Sequence, residues 1–282
     1  MIRLLNANFA RLFKGKLFWI CAAGAAALAL IEIFTHVKSP ANNPEYRLIP
    51  ENYLFNMSGF VLLIITAVFV GIFVGAEHGG VLRNKIIVGQ GRISAYFADL
   101  LTCFTGVAVI HALFVGVELL AGFLCGGVFI LEITEILLYE LLQLASLLSM
   151  CALFTAVSML IPQKLAGAIA SLVLVFGFFF VSNGIPGQLF DIERRIEKGT
   201  ASADDITKKE VLSVVQDALP FGQNDQIRTD MFRLMSKKER EQAGLNPAAE
   251  QNFPAETALA AACVFALTTA AGVIVFRKMD VK

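Results

Sequence analysis

The chain predicts an all-α fold, a polytopic membrane protein of six helices, and three observations carry that prediction. Of its 282 residues, 57% are apolar and only 16% charged, and the mean hydropathy is +0.70; a soluble domain is roughly 45–50% apolar and about a quarter charged. The apolar residues fall into runs near the roughly 20 residues that cross a hydrocarbon core about 30 Å thick. Basic residues collect on alternate connections between those runs. Folded in water, such a chain would carry large apolar patches, so an aqueous globular enzyme is excluded, as is a disordered chain. Zero net charge, with 23 basic and 23 acidic residues, gives no reason to expect nucleic acid as a partner.

The runs are residues 17–37, 57–76, 98–124, 136–161, 165–182 and 255–276. Backbone groups in hydrocarbon must be satisfied within the segment, so each run is expected as a helix. Eleven Lys and Arg residues lie before the first run, after the second, between the fourth and fifth, and after the sixth. The two short opposite connections hold only Lys38 and Arg47. The positive-inside rule, which weighs short loops, then puts both termini in the cytoplasm. Residues 184–254, with 22 charges, face outward. A cleavable signal peptide competes for the basic N-terminus and the Ala-rich stretch after it, but the apolar run is long for one and the charge count needs the first span retained.

Ahead of the first run, Ile2, Leu5, Phe9, Leu12 and Phe13 recur at helical spacing. This predicts an interfacial helix with its apolar stripe in lipid, or else a plain basic flank. Phe18 and Trp19 mark the entry of the first span. Residues 77–96 open on Gly79 and Gly80 and reach Gly89 and Gly91, enclosing a piece both basic and apolar. Glycines allow sharp reversals at both ends, so a short helix is expected across the membrane surface, with Glu77 near its positive N-terminal dipole. Val81, Leu82, Ile86, Ile87 and Val88 beside Arg83 and Lys85 make it a surface suited to docking.

The run Glu77, Gly79-Gly80, Arg83-Asn84-Lys85 and Arg92, after the second of six spans and behind an interfacial helix, resembles the ABC-2 type permeases, the membrane subunits of ATP-driven exporters. Gly80 stands where a hydroxyl residue is more usual, and Gly89-Gln90-Gly91 where a Pro-containing turn is frequent. The resemblance implies that residues 77–92 form a coupling helix seated in a groove of a separate cytoplasmic ABC ATPase, with Glu77, Gly79, Gly80, Arg83, Lys85 and Arg92 as the docking elbow. It implies pairing with a second permease as a homodimer or heterodimer. It also implies that ATP and Mg belong to the partner ATPase: the sole Gly-Lys, Gly15-Lys16, is followed by Leu17 and has Ala10 five residues before the glycine, so the phosphate-binding loop pattern is absent. No cofactor and no catalytic or metal site is expected in this chain. The expected setting is a bacterial cell membrane.

Ionisable groups within the runs need a reason, since each is costly in hydrocarbon. His111 and Glu118 lie seven residues apart on one face of the third run. Glu32 and His36 are an i, i+4 pair, and Glu140 and Gln143 are three apart. One reading is a proton relay or polar substrate wall; the plainer one is interhelical hydrogen bonding for His111 and interfacial exposure for Glu32, His36 and Glu140. Small residues crowd the first run (Ala22 to Ala27) and the sixth (Ala258, Ala260, Ala261, Ala262, Ala271, Gly272), faces on which helices approach closely. Phe176, Phe178, Phe179 and Phe180 crowd the fifth. By the resemblance, Phe176, Phe179 and Phe180 are candidates to line the path; lipid contact is the alternative. Cys21, Cys103, Cys125, Cys151 and Cys263 have no ligand spacing and read as small packed residues.

In the outward segment Ile192 and Ile196 suggest one helix. Ser202 and Asp205 make a cap before a second over 206–218. Pro220 and Gly222 then break the chain ahead of a third over 226–242, striped by Met231, Leu234 and Met235. The expected organisation is residues 1–183 as interfacial helix and five spans, 184–254 as an extracytoplasmic helical cap, and 255–282 as the sixth span and a cytoplasmic tail. The functions this allows are a permease subunit, a non-transporting immunity or sensor subunit of an ABC complex, and a proton-coupled secondary transporter using His111 and Glu118. No inverted repeat supports the last. A membrane enzyme would need a clustered catalytic set, which three scattered histidines do not supply.

Overall fold

The computed structural model describes residues 2–37, 48–54, 58–78, 87, 89–161, 163–242 and 255–278. Among them there is no β-strand, in line with the all-α expectation. The helices are α1 (Ile2–Lys14), α2 (Lys16–Val37), α3 (Glu51–Leu54), α4 (Ser58–Gly75) with a 3-10 turn at Ala76–His78, α5 (Arg92–Leu124), α6 (Ile133–Leu160), α7 (Lys164–Glu197), α8 (Ala203–Ala218), α9 (Pro220–Gln242) and α10 (Ala255–Lys278).

Among the described residues, four helices, α2, α5, α6 and α7, are long and apolar enough to cross a membrane, where the sequence predicts six. The described apolar parts of α4 and α10, Gly59–Gly75 and Ala258–Ile274, are shorter. Seventeen residues rise about 25 Å, less than a hydrocarbon core of about 30 Å. Both nonetheless pack within the same bundle. α4 lies against α7 and α6, α10 lies against α6 and α5, and α2 lies against α5.

Small residues set these approaches. On α2, Ala22, Ala25, Ala29 and Ile33 form one buried face, while Trp19, Ile20, Ile31 and Phe34 on the other side are exposed. α4 meets α7 where Gly71 faces Ala168: a Cβ built on Gly71 would come within 2.5 Å of the Ala168 Cα. The core between them is aromatic and aliphatic, with Phe69, Tyr96, Phe114 and Phe154 fully buried. Outward-facing Leu165, Ile169, Val173, Leu259 and Leu267 are each 60–71% exposed, an apolar surface that lipid would cover.

α7 does not stop near Ser182. It continues for 34 residues with Pro186 inside it, about 50 Å of helix, and ends at a left-handed Gly199. α8 begins at the capping box read from sequence: the Ser202 hydroxyl accepts from the Asp205 N–H, and the Asp205 carboxylate accepts from the Ser202 N–H. Pro220, expected as a breaker, is the first residue of α9, where a missing N–H costs nothing. α9 is six residues longer than predicted.

α9 also does more than cover the bundle. Asn224 accepts a hydrogen bond from Gln143 at 2.9 Å, and Lys238 pairs with Glu135. The helix therefore runs antiparallel to the start of α6, with Asn224 about four helical turns from Lys238. Gln223 and Ile227 are wholly buried there, and Met231 and Met235 pack with Leu131, Ile136 and Tyr139. The Met231, Leu234, Met235 stripe thus faces the bundle.

Two outcomes follow. Gly71→Ala should cost about 2 kcal/mol, because the added carbon meets Ala168 backbone that cannot yield, whereas Gly177→Ala, with open space around it, should not destabilise; thermal unfolding in detergent reads both. The hydrogen bonds from Arg195, at 2.7 and 3.3 Å, and from the Ser202 N–H hold the Asp205 carboxyl down at about 2. With the folded value depressed, this cap's contribution is fully present above the unfolded value near 4 and is lost as pH falls through 2. Carboxyl-carbon NMR should find the Asp205 midpoint near 2, and in Arg195→Gln displaced upward.

Candidate functional site

α1 is held to the bundle by polar contacts that its amphipathic pattern does not announce. Its buried face is Leu4, Asn8 and Leu12, whereas Ile2 and Phe13 of the predicted stripe are exposed. One side of the helix therefore meets protein, and Ile2 and Phe13 are left exposed on the other. Asn8 Nδ2 donates to the Asp99 carboxylate, and Asp99 is wholly buried in the second turn of α5. One turn along, Arg11 forms an ion pair with Glu77 at 2.6 Å. The same guanidinium lies 4.0 Å from the centre of the Phe73 ring, a favourable cation–π position.

Glu77 is 0% exposed. It sits in the 3-10 turn that ends α4, so the first residue of the predicted docking elbow points into the bundle and is neutralised by α1. Trp19 closes the corner at Gly15: its indole N–H donates to the Phe13 carbonyl at 2.8 Å. Of the other elbow residues, Arg92 opens α5, and Gly89 has φ of 87°, which only glycine adopts without strain. Gly79, Gly80, Arg83 and Lys85 lie outside the described residues.

A second polar group lies deeper between the helices. His111 Nε2 is 3.2 Å from the Glu140 main-chain oxygen and 3.4 Å from its carboxylate. Both neighbours are acceptors, so the proton of a neutral imidazole sits on Nε2. Glu140 is 5% exposed, which corrects the expectation of simple interfacial exposure: the turns of α6 that carry Glu140 and Gln143 are covered by α5 and α9. Glu118, two turns from His111, is wholly buried, and neither of its oxygens has a hydrogen-bond partner among the described residues. His111 thus meets Glu140 and makes no hydrogen bond with Glu118. His36 stacks on Tyr53 at 3.7 Å.

The three candidate path residues separate. Phe179 touches both Phe60 of α4, at 4.9 Å between ring centres, and Phe221 of α9, at 5.5 Å. Phe176 is 43% exposed with its ring 6.0 Å from Phe60. Phe180 is 71% exposed, on the outer surface.

Sequence reasoning missed Asn8, Asp99 and Glu51. Asp99 carried a signal, as an acid inside an apolar run. Glu51 is wholly buried and accepts from the Ile130 and Leu131 N–H groups at 2.6 and 3.0 Å; its loop position gave no hint of that. No protein-family model and no curated protein sequence matches the chain.

Removing Arg11, whose side chain is 31% exposed, takes a charge-assisted hydrogen bond from the buried Glu77 carboxylate, a loss of about 2 kcal/mol. Arg11→Met should therefore destabilise by about that amount, and Glu77→Gln by less, since its amide can still accept a hydrogen bond. Arg11→Met combined with Glu77→Met should recover much of the loss, as measured by thermal unfolding in detergent.

Proposed function

We propose that the chain is the permease subunit of an ATP-driven exporter of the ABC-2 type. It would cross the cell membrane of a bacterium six times with both termini inside and pair with a second permease. Its cytoplasmic ATPase would dock on residues 77–92. The observation that carries this reading is the Arg11–Glu77 ion pair backed by the Asn8–Asp99 hydrogen bond. The docking stretch begins at a residue locked to α1, and it is flanked directly by α4 and α5. A push on this stretch would reach α1, α4 and α5 together, because the Arg11–Glu77 ion pair and the Asn8–Asp99 hydrogen bond tie α1 to the ends of both helices. Closure of the ATPases around ATP would thereby tilt the helices on either side of the path. Eleven basic residues expected on the cytoplasmic side support the orientation, and on this reading nucleotide would bind the partner ATPase, since the sequence carries no phosphate-binding loop pattern.

A second reading has one observation in its favour: the buried His111–Glu140 contact and the nearby Glu118 are suited to bind the proton of a secondary transporter. The two readings separate in one preparation. Co-expression with a candidate ATPase, followed by purification through the permease, should recover the complex, and Arg83→Glu with Lys85→Glu should reduce recovery about tenfold, as expected for losing two charge-assisted contacts, with the melting temperature unchanged. Undiminished recovery would refute the elbow assignment. Uptake into vesicles driven by a pH gradient without ATP or partner would favour the proton-coupled reading instead.

A further inference from the structure

The corner where α1 turns into α2 presents charge and apolar surface that the described protein does not cover. Arg3, Arg11, Lys14 and Lys16 precede the first acid of the sequence, Glu32. Arg11 is engaged by Glu77. Arg3, Lys14 and Lys16 are exposed, and none of them has an acidic partner among the described residues. Lys14 is the last residue of α1 and Lys16 the first of α2, so two uncompensated cations stand on either side of Gly15. The corner between them is tight: the Gly15 N–H donates to the Leu12 carbonyl at 3.3 Å, and a Cβ on Gly15 would come within 2.7 Å of the Arg11 carbonyl oxygen.

Beside these cations lies a fixed aromatic edge. Phe18 is buried and packs against Phe69 of the core, with ring centres 6.3 Å apart. Phe13 and Trp19 pack edge-on against Phe18 at 5.5 and 5.1 Å, and both are exposed, Trp19 by 58%. The Trp19 indole N–H already donates to the Phe13 carbonyl, so the ring offers a partner only apolar contact. Lys16, Trp19 and Ile20 stand at i, i+3 and i+4 on one face of α2, and the exposed Ile31 and Phe34 continue that face. α2 is apolar enough to cross a membrane, which puts its first residue, Lys16, at the depth of lipid headgroups. An acidic protein surface would match the two lysines and leave the apolar face beside them in water. A lipid with an anionic head matches both.

We infer that the α1–α2 corner binds an anionic phospholipid, with the phosphate at Lys14 and Lys16 and the acyl chains against Phe13, Trp19 and Ile20. A zwitterionic lipid brings the same chains but adds a cation of its own, which the two lysines repel. Arg3 lies eleven residues before Lys14 on the same face of α1, about 16 Å away along the helix, and draws a second anionic head. The site does not depend on an ATPase partner.

Trp19 is the sole tryptophan of the chain, so its fluorescence reports on this corner alone. The test places the full-length protein in phosphatidylcholine nanodiscs containing an equal minor fraction of either dibrominated phosphatidylglycerol or dibrominated phosphatidylcholine, whose bromines quench indole on contact. The anionic lipid should occupy the corner about fivefold more strongly than the zwitterionic one. That preference should fall towards parity when salt is raised from about 0.05 to 0.5 M. Lys14→Gln combined with Lys16→Gln should abolish it without lowering the melting temperature, since both side chains are exposed. Lys198→Gln combined with Lys208→Gln removes the same charge from exposed positions at the far end of α7 and on α8, and should leave the preference intact. The salt series uses the unaltered protein and stands even if the Lys14, Lys16 variant fails to insert. Equal quenching by the two lipids, or none by either, would overturn the proposal. So would a preference that resists salt, survives loss of Lys14 and Lys16, or disappears with Lys198 and Lys208.

Discussion

Glu77 has no water to turn to, and its pairing with Arg11 at 2.6 Å governs how one end of the bundle is built. A carboxylate at the end of α4 can be buried only if a cation is brought to it. Arg11 of α1 brings one such cation, which holds α1 to the end of α4. The Asn8–Asp99 hydrogen bond one turn away fixes the rotation of α1 about its own axis. Leu4 and Leu12 are then turned inward, Ile2 and Phe13 outward. The Gly15 corner, the Trp19 indole bond and the course of the chain into α2 follow from that placement.

The same rule, that a polar group in an apolar bundle must find a partner, organises the other end. Glu51 collects two backbone N–H groups of the loop before α6 and anchors α3 there. Gln143 reaches Asn224, which draws the start of α9 between α6, α4 and α7. Once α9 is inserted, Phe221 can meet Phe60 and Phe179. A charged connecting segment is thereby converted into a wall shared with the apolar helices. The two ends differ in kind: one is closed by an ion pair and a short hydrogen bond, and the other retains a cavity and a carboxyl, Glu118, with no donor among the described residues.

Much of this was legible in the chain. Apolar runs of about twenty residues placed the helices, because hydrocarbon admits few other backbones, and the Ser202–Asp205 cap was read correctly because capping is a local interaction between neighbours in sequence. The misreadings share one cause. The fifth apolar run ends at residue 182, but the helix does not, and α7 passes through Gly184, Pro186 and Gly187 while packed against α4, α6 and α9. Pro220 marks a break or a first turn equally well, and the burial of Pro220, Gly222, Gln223 and Ile227 made it a first turn. Glu140 lies near the end of a run and reads as interfacial; it is buried, in contact with His111 of a neighbouring helix 29 residues away in sequence.

Composition and run length by themselves determined that the chain is helical and carries apolar helices long enough for a bilayer, since those depend on transfer of whole segments from water and on nothing outside each segment. Which polar residues pair was decided only in three dimensions. Arg11 with Glu77, Asn8 with Asp99, His111 with Glu140 and Gln143 with Asn224 are separated by 66, 91, 29 and 81 residues. Local periodicity carries no information about such distant partners. The helix-to-helix packing selects them, because an apolar interior penalises a polar group left alone far more than it penalises the chain for bringing distant residues together.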